Sequence, residues 1–139
     1  MNIVEAGHEL LVLLAISDRH YHINEVNRIK EFLAKHLNEG KTVEVKSPIE
    51  IISLPTETRV QRLGELAEYF KHHSSIKNKL RMINFALHLI LADHKVTPEE
   101  KLRFKILGEY WDIDLVKFIE KKLANNADAA RVIDLNKIR

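Results

Sequence analysis

Apolar residues recur along the chain at the three- to four-residue spacing of amphipathic helices, with short polar links between the runs. Residues 3–16 predict a helix whose second half, LLVLLAI, is apolar on nearly every side and so belongs in the middle of a bundle. The polar run 17–23 (SDRHYHI) breaks it. Asn24 predicts an N-cap, with Glu25 favourable in the first turn, for a helix with Val26, Ile29, Leu33 and Leu37 on one stripe and Phe32 beside it. Gly40 predicts the stop. Residues 41–46 (KTVEVK) alternate like a strand but have no partner, and read as an extended connector. Ser47-Pro48-Ile49-Glu50 offers a cap, a first-position proline and the third-position glutamate of a capping box. Pro55 ends that short helix, and Thr56 opens a longer one. There Val60, Leu63, Ala67 and Phe70 face inward, and Arg62, Glu65 and Glu68 face water.

Ser75 predicts the start of a helix reaching about Ala92, its second half (MINFALHLILA) again apolar almost all round, with His88 a core histidine. This run and the one at Leu10–Ile16 read as the two central helices. Residues 93–96 (DHKV) form a tight link, and Thr97-Pro98-Glu99-Glu100 repeats the capping-box pattern. The next helix aligns Leu102, Ile106 and Tyr110, with Phe104, Leu107 and Trp111 alongside. Asp114 predicts the cap of a last helix carrying Val116, Ile119 and Leu123, with Lys121 and Lys122 near its negative end. The fold class is therefore an all-α, single-domain bundle of about seven helices over residues 1–126. Residues 127–139 form a tail or a short docked helix. Two stretches, about 3–38 and 75–112, share one layout: a mostly buried helix, a polar link, then an amphipathic helix. Superposing Ile23 on Val96 pairs Ile29 with Leu102 and Leu33 with Ile106. Asp18 then meets Asp93 only if the first link holds two extra residues.

Composition narrows the function. With 22 Lys and Arg against 20 Asp and Glu, the formal charge is +2, without the basic stripe that phosphate-backbone binding needs, so nucleic acid is not the expected partner. Absence of cysteine excludes disulfides, thiolate metal sites and thiol catalysis. Glu5 and Glu9 precede the first apolar run where a signal peptide would carry basic residues. Neither apolar run approaches the roughly 20 residues a bilayer requires. The expected location is the cytoplasm.

The stretch LILADHKVTPEEKLRFKIL resembles the signature of the TerB-like (tellurite-resistance) family: an apolar helix ending in Ala-Asp, a short turn, a β-branched residue, then an acid-rich first turn. The stretch LLAISDRHYHINEVNRIKEFL resembles a degenerate copy of it. The resemblance spans roughly residues 5–125 and implies an all-α bundle of about seven helices. It also implies a role in stress response through multiprotein, often membrane-associated assemblies, without an established catalytic activity. The acidic cluster it implies falls on Asp93, Glu99 and Glu100, and in the first hairpin on Asp18 and Glu25. Two departures stand out: His94 replaces the glycine that usually follows the motif aspartate, and the first link is longer and rich in histidine.

Asp93, Glu99 and Glu100 have a structural reading as helix caps and dipole partners. Their functional reading is a divalent-cation site completed by Asp18 and Glu25 from the other hairpin. An EF-hand is excluded, since Lys95, Thr97 and Phe104 stand where its ligands belong. His20, His22 and His94, beside Asp18 and Asp93, form a His/carboxylate set suited to zinc if the two links converge. His72 and His73 end a helix and suit its exposed carbonyls. No Gly-rich phosphate loop, His-Glu-x-x-His or nucleophile elbow is present. The leading expectation is a non-enzymatic module that contacts other proteins, with a divalent cation as its candidate ligand. The alternative is a metal-dependent enzyme between the links.

Overall fold

The computed structural model describes residues 2–15, 23–38, 40, 47–93 and 96–124, with the backbone alone at 92 and 93. They form an all-α single bundle of seven helices without strands: α1 (Ile3–Ala15), α2 (Ile23–Leu37), α3 (Pro48–Ile52), α4 (Thr56–His73), α5 (Ile76–Asp93), α6 (Pro98–Trp111) and α7 (115–124). The connector 41–46, the exit at Asn125-Asn126 and the segment 127–139 lie outside the described residues.

α1 is the axis. Its residues Leu10 to Ala15 are all buried, as the apolar run predicts, and it packs against α2, α3, α4, α5 and α6. The close approach has a cause at Gly7, where a Cβ would come within 2.8 Å of the Leu33 side chain and 3.2 Å of Leu37. Phe70 of α4 also reaches that point. Two residues on, Glu9 accepts from both Nε (2.6 Å) and Nη2 (2.9 Å) of Arg62, so a bidentate pair ties α1 to α4. Further along, Arg103 Nη1 of α6 donates to the Leu13 carbonyl at 3.2 Å. These contacts fix direction: α4 and α6 run alongside each other and antiparallel to α1. α6 is locked to α4 by Trp111 Nε1, which donates to the Ala67 carbonyl at 2.8 Å while its ring meets Phe70 edge-on.

Cap geometry explains several boundaries and corrects others. At α6 the capping box forms in full: Glu100 N donates to Thr97 Oγ1 at 3.2 Å, and Thr97 N donates to Glu100 Oε1 at 2.9 Å. The same pattern at Ser47 does not form its side-chain bonds. Pro48 holds the first position, but only the Ser47 carbonyl engages, accepting from Glu50 N in a helix of five residues. Asn24 is not the cap of α2, which already begins at Ile23. Ser75 caps α5 through its hydroxyl (Asn78 N, 3.1 Å), and Asp114 caps α7 (Lys117 N, 3.0 Å), both as predicted. Gly40 adopts φ 82° beyond α2.

Three burial expectations are corrected. Val60 is exposed, and α4 buries Leu63, Leu66, Ala67 and Phe70. On α6 the inward stripe is Glu100, Phe104, Leu107, Gly108 and Trp111, while Leu102 is 57% exposed and Tyr110 faces outward. α5 is not buried all round: His88 is exposed and continues the polar stripe of Arg81 and Asn84, seven and four residues earlier. The starts of α2 and α6 align two residues out of the register that the sequence layout predicts. α2 begins at Ile23 and α6 at Pro98, a spacing of 75 residues that places Ile29 on Phe104 and Leu33 on Gly108, all buried. Glu25 then falls on Glu100, both buried at the third helical position. That spacing also puts Asp18 on Asp93 with no inserted residues.

Candidate functional site

Since α1 and α5 end, and α2, α4 and α6 begin, at the same end of the bundle, the helix ends carrying links 16–22 and 94–97 gather there. The contact of Arg103 with the Leu13 carbonyl marks this end, and with Thr56, Arg59, Val60 and Leu63 those two residues surround a pit of about 40 Å³. Asp18, His20, His22 and His94 lie outside the described residues, and Asp93 is placed by its backbone as the last residue of α5. Glu99 is exposed in the first turn of α6. Glu100 is buried and holds the Thr97 amide, which is the capping role. Glu25 is buried at the matching turn of α2. Among the described residues no group of three or more His, Asp or Glu side chains is placed to hold a metal ion.

The α4 terminus resolves the adjacent histidines. His73 Nδ1 lies 2.8 Å from the Tyr69 carbonyl and its ring stacks on Tyr69 at 4.1 Å, whereas His72 pairs with Glu68 at 3.1 Å. His73 therefore serves the helix end. Beside it Lys79, buried in α5, donates from Nζ to the Ser74 carbonyl at 2.6 Å and sits 5.8 Å from the centre of the Trp111 ring. Burial lowers its pKa.

His8 is a polar core residue that patterning overlooked. It is 1% exposed in the middle of α1, and its Nε2 has no hydrogen-bond partner among the described residues. Burial, then the charge of Lys30, push its pKa down to about 4, with Glu9 opposing. Its signal was available: His8 lies on the stripe of Leu11, Val12 and Ala15, at helical spacings of three, four and seven.

On α2 and α5 a second feature is aromatic. Phe32 and Phe85 stack at 4.3 Å across the two helices, both half-buried, and His36 lies 4.6 Å from Phe32. Burial, then the charges of Arg81 and Lys35, lower the His36 pKa. At the α6–α7 turn an open groove of about 510 Å³ is rimmed by Glu109, Asp112, Asp114 and Lys105 over Ile113 and Val116.

No family model, curated protein or solved structure matches the chain. Among the described residues no helix is long and apolar enough to cross a membrane.

Proposed function

We propose that the chain is a TerB-like helical module that acts through protein–protein contacts within a larger, membrane-associated assembly, with a divalent cation as a candidate ligand. The supporting observation is a matched position: Glu25 and Glu100, 75 residues apart, are both buried at the third position of α2 and of α6. Apolar side chains left in solvent fit the same reading, Leu102 on the outer face of α6 and Ile76 (65% exposed) at the start of α5. Affinity capture from native lysate, with sedimentation of the purified chain, tests it. A reproducible partner lost on Leu102→Glu or Ile76→Glu is the expected result. A chain that captures nothing and sediments as a monomer overturns it.

One observation favours a second reading, a metal-dependent enzyme using Asp18, His20, His22, Asp93 and His94: the helix ends that carry both links share one end of the bundle. A binder gains thermal stability as metal is added. Elemental analysis and melting with Zn²⁺, Mn²⁺, Ca²⁺ and Mg²⁺ decide it. No bound metal and no shift with any of the four rules it out.

A further inference from the structure

The α2–α5 seam and the α6–α7 groove lie on different helix pairs and carry opposite charge. On the seam, Lys35 and Arg81 are exposed around the half-buried Phe32–Phe85 stack, and both act electrostatically on His36. Lys77 and His88 extend the α5 side of the stripe, and Glu31 is the acid on the α2 side. The α5 sequence from Ile76 to Ala92 holds no acidic residue. The groove is its counterpart: exposed Glu109, Asp112 and Asp114 outweigh Lys105, above a floor of partly buried Ile113 and Val116. A basic rim around an aromatic pair and an acidic rim around an aliphatic floor are complementary in both charge and polarity.

We propose that the occupant of the seam is a second copy of this chain, which presents its α6–α7 groove head-to-tail. The proposal rests on the reading of the chain as an interaction module and names its first partner. Two different faces meet in such a contact, so each added copy leaves one of each face open. Association continues beyond a dimer or closes into a ring.

Sedimentation velocity of the full chain over a concentration series tests this. At about 10 mM salt, where charges act over about 30 Å, the average mass should climb past that of a dimer. At about 1 M salt, where the range is about 3 Å, it should return to the monomer. Lys35→Gln with Arg81→Gln removes only the basic face, and Asp112→Asn with Asp114→Asn removes only the acidic one. All four positions are exposed, and asparagine preserves both the positive φ at 112 and the capping ability at 114. Each double variant should sediment as a monomer, and an equal mixture should stop at a dimer, since the single contact between them uses up the one intact face that each variant keeps. A wild-type chain that stays monomeric at low salt overturns the proposal, as does association that survives both double variants. Capture of a different protein through Leu102 is read separately, so either result can fail without the other.

Discussion

At the residue scale the strongest consequence belongs to His8. Its folded pKa of about 4 lies below the 6.5 expected of an exposed imidazole, because burial and Lys30 disfavour the charged form. Between those two values the unfolded chain binds a proton that the folded chain refuses. Stability is therefore complete above pH 6.5, falls as pH drops through the window, and levels off below about 4. The full span is about 3 kcal/mol at 1.36 kcal/mol per unit. Urea midpoints measured from pH 7.5 to 4 should trace this fall, and His8→Leu should remove most of it. A wild-type profile that is flat between pH 6.5 and 5 contradicts the placement. Asp112 is the converse case, a residue whose replacement helps. It takes φ 55°, ψ 44° just past α6, where a side chain is strained and a carboxylate faces the negative end of the helix dipole. Asp112→Gly should raise stability by about 1 kcal/mol in the same assay.

Between helices, the two cap patterns of the same form, Ser47-Pro48-Ile49-Glu50 and Thr97-Pro98-Glu99-Glu100, make opposite predictions. Thr97→Ala removes a side chain that accepts the Glu100 amide, and should cost about 1 kcal/mol by chemical denaturation. Ser47→Ala removes a hydroxyl that makes no capping bond, and should change stability by less than about 0.5 kcal/mol. Equal losses at both sites would show that the first box also closes in solution. The contrast shows what patterning reads well and what it does not. A capping box is a local possibility that needs a helix long enough to hold it: α6 runs 14 residues, while α3 stops after five. The seven helices and the buried α1 were legible because period and punctuation agree along most of the chain. The inward face of α6 was not, since apolar residues occur on both candidate stripes. The choice between Leu102 and Phe104 is made by contact with α1 and α4, which local spacing does not encode. His88 was readable in retrospect from Arg81 and Asn84 on its stripe. The metal candidates in the links were legible only as a set of ligand types, since convergence is a matter of geometry. Burial of Glu100 in its own cap shows how a suggestive carboxylate can be fully used by the backbone.

Over the whole molecule, one core joins all seven helices. Its buried residues run from Ala6 in α1 to Ile119 in α7, and α1 touches five other helices directly. Such a core has no plane along which one hairpin can melt while the other stays folded, despite the internal repeat. Trp111, the chain's one tryptophan, is buried at the α4–α6 contact and reports the second hairpin by fluorescence, whereas far-UV circular dichroism reports all the helices together. The two signals should give coincident unfolding curves. Leu14, fully buried in α1, belongs to the first hairpin and makes the test sharper. Leu14→Ala should destabilise by about 2–5 kcal/mol through lost burial and the cavity left behind. If the bundle is one cooperative unit, that loss appears in full at Trp111, in the other hairpin. If the repeat behaved as two independent domains, the Leu14 variant would shift the dichroism curve and leave the tryptophan transition in place. Coupling through α1 predicts equal displacement of both, because Arg103 of α6 and Arg62 of α4 bind those helices to the same axis that Leu14 helps to build.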